Sequence, residues 1–311
     1  MKIFDHLDKI REPFKNAVIT IGNFDGVHIG HQALFHEVIE KAETIDGTSI
    51  AMTFEPHPLR VLKPNGHPPL ITLYEQKAEL IERTGIDVLI CVPFTEAFAS
   101  LSADQFIRDL LVKKIGMKSI VVGEDYRFGK NREGNIDMMR SYGSDYGFEV
   151  IVADWIKTPK GFTERISSTR IRELITGGHM AEAGKMLGRY YQIRGQVVTG
   201  RDRGGRLLGI PTANINLNDE LCPKTGIYAV TVECRGNQHN GVANIGYSPT
   251  FEDHEFTVEV HILDFNDNIY GKKIRVNFIS RIRDEIKFSN ISALIDQIKK
   301  DIATAREIFS K

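Results

Sequence analysis

Two histidines three residues apart, His28 and His31, stand in the stretch "GNFDGVHIGHQ", residues 22–32, interleaved with Gly22, Gly26 and Gly30. Imidazoles donate to anionic oxygens or ligate metals, and glycines let backbone N–H groups come close to a ligand. Zinc would need further ligands, and none follows at a suitable spacing. The pattern is neither GxGxxG nor GxxxxGK(S/T), so neither the dinucleotide fingerprint nor the P-loop applies. A phosphate cradle and a plain glycine turn with incidental histidines are both open on spacing alone.

Further stretches carry chemistry-bearing types. "ISSTRIR" at 166–172 sets Ser168 and Thr169 one turn ahead of Arg172, which suits either phosphate oxygens at a helix start or a simple N-capped amphipathic helix. "TFEPHP" at 53–58 and "VGEDYRFGKNREGN" at 122–135 offer Phe54, Tyr126 and Phe128 to a planar ring, with Asp125 as an acceptor. The same aromatics could pack into a core. "GRDRGGRLLGIPTANI" at 200–215 combines four glycines and three arginines with a Pro-Thr-Ala-Asn step. Its backbone could wrap phosphates while Thr212 and Asn214 offer oxygens to Mg²⁺; a mobile basic hairpin is the plainer alternative. In "FTVEVHIL" at 256–263, Phe256, Val258, Val260 and Ile262 share one strand face, which leaves Glu259 and His261 on the other. Glu259 is a candidate general base if that face lines a pocket, and a solvated carboxylate if it does not.

The elements that position these residues follow from the apolar pattern. From Ala17 to about Ile151, short apolar runs ("AVITIGNF", "TSIAMTF", "DVLICVPF", "KSIVVGE") alternate with helical ones, which predicts a parallel α/β sheet covered on both faces. The histidine stretch follows the first of these strands and opens a helix, the edge where ligands of such sheets bind. "STRIRELITGGHMAEAGKMLG" predicts two short helices parted at Gly177-Gly178, with Ser168 or Thr169 available as a cap. From Tyr191 the period becomes two ("YQIRGQVVTG", "GIYAVTVEC", "NGVANIGY", "FTVEVHIL", "KIRVNFISRIR"), which predicts an antiparallel barrel or sandwich. Ile291, Leu294, Ile295, Ile298 and Ile302 form a helical stripe expected to cover part of it. Two domains are expected, 1–186 and 187–311.

Bulk properties narrow the class. In 311 residues, 40 Lys plus Arg face 41 Asp plus Glu, so no overall field favours nucleic acid or an anionic membrane. No run reaches the roughly 18 apolar residues of a membrane span, and "MKIFDHLDKIREPFK" does not read as a signal peptide. Cys91, Cys222 and Cys234, an odd trio without CxxC spacing, read as reduced residues of a cytoplasmic protein. The sequence leaves the assembly state open, transient self-association included.

His28-Ile29-Gly30-His31 after "GNFDGV" resembles the HxGH signature of α/β nucleotidylyltransferases, and "ISSTRIR" is similar to that superfamily's second signature. "GRLLGIPTANI", "TGIYAV", "NIGYSPTF", "VEVHILDF" and "RIRDEIKF" look like riboflavin kinase, in this order. Together they make the chain resemble the bifunctional prokaryotic riboflavin kinase/FMN adenylyltransferases, or FAD synthetases. The resemblance implies a Rossmann-like N-terminal domain that adenylylates FMN with ATP to give FAD and pyrophosphate. It implies a C-terminal barrel that phosphorylates riboflavin to FMN.

By the same resemblance, His28 and His31 serve adenylyl transfer, with Gly22, Phe24, Gly30, Ser168, Thr169 and Arg172 around ATP. Phe54, His57, Asp125, Tyr126 and Phe128 would hold FMN. In the kinase, Gly200, Gly205, Gly209, Pro211, Thr212 and Asn214 would bind ATP, with Mg²⁺ on Thr212 and Asn214, and Glu259 would be the base for the ribityl 5′-hydroxyl. The partners expected are small molecules, with neither nucleic acid nor membrane among them. A nucleotidylyltransferase with another acceptor, such as phosphopantetheine or a phosphoalcohol, and a non-catalytic nucleic-acid-binding barrel are the rival readings.

Overall fold

The computed structural model describes residues 1–63, 65–153, 166–198, 210–217, 219–247 and 256–310. The chain divides into two compact units, Met1–Ser167 and Ser168–Lys311.

The first unit is a parallel sheet with helices on both faces. In chain order its strands and α-helices are β1 (Lys2–Phe4), β2 (Ala17–Ile21), α1 (Ile29–Thr44), β3 (Ser49–Glu55), α2 (Pro58–Leu62), α3 (Tyr74–Glu82), β4 (Val88–Pro93), α4 (Glu96–Ala99), α5 (Ala103–Gln105), β5 (Met117–Gly123), α6 (Ile136–Tyr146) and β6 (Glu149–Ala153). Helix α5 runs straight into a wider π-type segment, Phe106–Ile115. The strand order is β1-β4-β3-β2-β5-β6, and each neighbouring pair is parallel.

Every residue of β2 is buried because alternate side chains enter different cores. Ala17, Ile19 and Ile21 join Ile50, Met52, Phe106 and Leu111 on one face. Val18 joins Ala51, Leu89, Phe35, Val38 and Ile81 on the other. The order reverses at β2, with β3 on one side and β5 on the other, so the loop after β2 opens at the switch point of the sheet. Strands β1 and β6 add to the runs read from sequence.

The second unit begins with α7 (Ser168–Gly177) and α8 (Met180–Leu187), then β7 (Tyr191–Val198), β8 (Ala213–Asn216), β9 (Gly226–Cys234), β10 (Asn237–Tyr247), β11 (Phe256–Ile262), β12 (Lys273–Arg283) and α9 (Ile291–Phe309). The six strands close into an antiparallel barrel, β10-β11-β8-β7-β12-β9. Its interior holds Ile193, Ile215, Val230, Ala243, Val258, Val260, Val276 and Phe278, all buried. Residues 213–215, read from sequence as the end of a phosphate-wrapping loop or hairpin, lie in β8 instead. Asn214 and Asn216 lie on the outer face, while Ala213 and Ile215 turn inward.

Helix α9 occupies the expected span, and of the expected stripe Leu294, Ile295, Ile298 and Ile302 are half-buried. Ile291 is 57% exposed, and the residues buried on this helix are Asp301 and Ala305. Asp301 accepts from Arg283 Nε at 2.8 Å and from Nη2 at 2.6 Å, so a paired charge holds the helix alongside the apolar stripe.

Candidate active sites

The turn between β2 and α1 is strained and then pinned. Phe24 and Val27 take φ of 47° and 40°, and Gly26 between them takes 87°. Left-handed backbone at non-glycine residues costs on the order of 1–3 kcal/mol each and persists only where the surroundings enforce it. The enforcement comes from Asp25, whose buried carboxylate accepts from the backbone N–H of Ile71 and of Thr72, both at 3.0 Å. Gly26 N–H donates to Thr72 Oγ1 at 3.0 Å. Asp25, Thr72 and Ile71 were not singled out from sequence; the signal available was only an acid inside a glycine turn.

This turn delivers His28 to the first position before α1, where its Nδ1 accepts the backbone N–H of His31 at 3.3 Å. An Nδ1 that accepts carries no proton, so the neutral ring keeps its proton on Nε2 as a donor. The His31 ring stacks on that of His28 with centroids 3.6 Å apart and an interplanar angle of 18°. Phe24 meets His31 edge-on at 5.3 Å. Gly30 makes the stack possible, because a Cβ there would lie 3.0 Å from Cε1 and Nδ1 of His28. Gly22 likewise leaves room for the Phe24 ring, 2.8 Å from where its Cβ would be.

The neighbouring β3–α2 junction repeats the device. His57 precedes α2, with Pro58 in the first helical turn, and its Nδ1 accepts from Leu59 N–H at 3.2 Å. Phe54 meets Phe94 at 5.5 Å and Phe98 at 5.8 Å. After β5, Asp125 is exposed, whereas Phe128 is buried in the core and stacks on Tyr126 at 5.5 Å. Burial also pushes the Tyr126 hydroxyl well above its ordinary range. Both rings thus have the packing role that these aromatics could always have had, and any contact with a flavin ring would come in addition to it.

Lys77, on the buried face of α3, escaped the sequence reading altogether. Its ammonium donates to the carbonyl of Asn23 at 3.3 Å and to that of Phe54 at 3.5 Å. Ser168 is the first residue of α7, with Thr169 and Arg172 in its first turns, and this helix belongs to the second unit.

In the second unit, register builds the candidate site. Glu259 on β11 lies directly across from Asn214 on β8 and from Asn244 on β10. Directly opposed residues have their Cβ atoms about 4.5–5.5 Å apart, so the three side chains form one row on the outer wall of the barrel. Burial pushes the Glu259 carboxyl above its ordinary range. His261 Nδ1 lies 2.8 Å from the Pro211 carbonyl and ties the approach to β8 against β11. Two residues beyond Asn244, a Cβ on Gly246 would lie 2.1 Å from Glu285 Oε1, so this glycine admits a second carboxylate, from "RIRDEIKF". Asn244 and Glu285 were not named from sequence as site residues, since alternation shows which face a residue takes and not which strand lies beside it. Thr212 precedes β8; Gly200, Gly205 and Gly209 lie outside the described residues.

Comparison with known proteins also divides the chain in two. Residues 10–170 match the FAD synthetase family, and residues 187–309 match the riboflavin kinase family. The bifunctional riboflavin kinase/FMN adenylyltransferase of Escherichia coli (strain K12) is 40% identical over 301 residues, 96% of this chain and 94% of that one. The protein of the same name from Haemophilus influenzae is 36% identical over 314 residues, all of both chains. A solved structure described as a macrolide-efflux protein from Streptococcus pneumoniae superposes with a TM-score of 0.87 at 36% identity, covering 98% of each chain. That description sits apart from the two family matches. Among the described residues here, no helix is long and apolar enough to cross a membrane.

Proposed function

Because the chain belongs to the bifunctional riboflavin kinase/FMN adenylyltransferases, phosphorylating riboflavin to FMN and adenylylating FMN to FAD, we propose how its residues divide these two steps. The substrates are riboflavin, FMN and ATP.

Adenylyl transfer falls to the strained turn. An FMN phosphate oxygen attacks the α-phosphorus of ATP, the bond to the β-phosphate oxygen breaks, and pyrophosphate leaves. Charge grows on the α-phosphate oxygens and on the leaving group, and fixed donors there do most of the work. The observation that carries this reading is the hydrogen bond from His31 N–H to His28 Nδ1, which fixes the ring and leaves Nε2 as the donor. His31, held against His28 by the stack, supplies the second imidazole. Gly22, Phe24 and Gly30 shape the turn around ATP. Phe54, His57 and Asp125 serve the flavin phosphate and ring, with Tyr126 and Phe128 behind them. Ser168, Thr169 and Arg172 are assigned to the β- and γ-phosphates on the strength of their motif.

Phosphorylation of riboflavin falls to the barrel wall. Glu259 takes the proton of the ribityl 5′-hydroxyl as that oxygen attacks the γ-phosphorus and ADP leaves. A carboxyl raised by burial is a stronger base once ionised, which suits that task. Thr212 and Asn214 offer oxygen only, the chemistry a hard cation selects, so they fit Mg²⁺. The ion would neutralise phosphate charge there. Pro211, Gly200, Gly205 and Gly209 are assigned to ATP on sequence. Free cysteines, two of the three buried, fit a reducing cytoplasm as the place of work.

Flavin chromatography on the whole protein with riboflavin, ATP and Mg²⁺ tests the division. His28→Ala should make FMN and stop there, while Glu259→Gln should convert only supplied FMN. Loss of both steps in either folded variant overturns it, and unchanged rates over a Mg²⁺ titration into chelator overturn the metal assignment.

A further inference from the structure

Lys77 is 5% exposed, on a helix whose other buried residues include Ala78 and Ile81. Burying an ammonium costs several kcal/mol unless it is paired and hydrogen-bonded, and an aliphatic side chain would fill the same space at no such cost. What the ammonium gains is contact with two segments that are far apart in sequence, a turn and a strand end. It donates to the carbonyl of Asn23, in the turn that carries His28, and to the carbonyl of Phe54, in the segment that carries His57. Thr53 Oγ1 donates to the same Asn23 carbonyl at 3.2 Å, so that oxygen is the knot between the ends of β2 and β3. The titratable groups acting on the ammonium are Glu55 of β3, Asp25 of the turn and the Cys91 thiol of β4; Tyr74 of its own helix bonds Cys91. The two carboxylates favour the charged form, and burial opposes it more strongly.

We propose that Lys77 is a positioning residue for adenylyl transfer, which sets the separation between the nucleotide-side turn and the flavin-side segment by tying their backbones together. The inference rests on the assignment of adenylyl transfer to the His28 turn. Two reactants held on separate segments react at a rate that depends on their mutual placement, and a misplacement of about 1 Å can cost on the order of 100-fold. Each segment keeps its own internal hydrogen bonds without Lys77, so each substrate should still bind.

The test measures, on the whole protein, the kcat of FMN adenylylation and the separate dissociation constants for FMN and for a non-hydrolysable ATP analogue. Lys77→Met is expected to lower kcat on the order of 10- to 100-fold and to change both dissociation constants less than about threefold. An unchanged kcat, or binding of both substrates weakened in step with kcat, overturns the proposal. Lys77→Arg decides the matter even if the Met variant does not fold. The wild type should lose kcat on the alkaline side as the ammonium deprotonates, and the Arg variant should be active without that limb. An inactive Arg variant, or one that keeps the limb, overturns the proposal. His28→Ala, run in parallel, separates the failures: if it keeps FAD formation the site assignment is wrong, and if it loses FAD formation while Lys77→Met does not, only the role of Lys77 falls.

Discussion

In the first unit, His28 and His57 take their orientation from the backbone of the helices they precede, through Nδ1 acceptance at 3.3 and 3.2 Å. In the second, Asn214, Glu259 and Asn244 take theirs from strand register alone. The first arrangement fixes a ring to a few backbone atoms and requires bare positions around it, such as Gly30. The second spreads the job over whole strands, so apart from Gly246, which admits the Glu285 carboxylate, a single side chain can change without moving its neighbours. Substitutions near the histidine turn should therefore disturb geometry as well as chemistry, while those on the barrel wall should remove chemistry and little else.

The sharpest break of that comparison is Glu259→Gln. It should lower riboflavin phosphorylation about 100- to 10,000-fold, the usual worth of a general base, and leave the melting curve and the conversion of supplied FMN unchanged. Its pH profile adds a sign. The base acts ionised and burial raises its pKa, so the wild-type kinase should lose activity as pH falls through a value above the ordinary carboxylate range, and the residual activity of the Gln variant should lack that acid limb.

His28→Ala comes next. Losing one fixed donor costs about 3 kcal/mol, or 100-fold and more in FAD formation, read by single-turnover flavin chromatography. Unlike the glutamate variant it should also lose about 1 kcal/mol of stability by calorimetry, because the imidazole is the cap of α1. Asp301→Ala, far from either reaction, should cost the second unit about 3 kcal/mol by stranding Arg283, seen as an earlier calorimetric transition. Smallest is Gly30→Ala: its methyl would press on the His28 ring at 3.0 Å, and about a tenfold loss of FAD formation should follow while riboflavin phosphorylation is untouched. Equal sensitivity of Gly246→Ala and Gly30→Ala in their respective steps would blur the contrast between the two sites.

Much of this was legible in the residues. Strand β12 and helix α9 start and stop where period two and period 3.6 begin and end, at Lys273–Arg283 and Ile291–Phe309. The histidine turn could be placed at a ligand edge because an apolar run ended just before it. What stayed hidden depends on contacts distant in sequence. Strand β1 buries only Phe4 of its three residues, too little for any period to register. Asn214 looked like a loop residue because the strand that makes a strand of it, β11, arrives more than 40 residues later. Neither Lys77 nor Asp301 stood out in the sequence, since a buried charge is recognised only through its partners. Ile291, counted on the covering stripe, sits at the first position of α9 where the helix has not yet reached the barrel's shelter.

The pairing of Arg283 with Asp301 also bears on how the chain can be cut. An engineer seeking a smaller kinase would be tempted to trim the terminal helix as an appendage, since only two of its residues are fully buried. Arg283 is itself only 16% exposed and ends the last barrel strand, so a chain stopped before Asp301 would leave a guanidinium with a backbone carbonyl of Asp284 but without the carboxylate that pairs its charge. The shortest stable kinase fragment therefore extends beyond Asp301, and a stop codon or a protease site upstream of it should yield protein that is made but not retained.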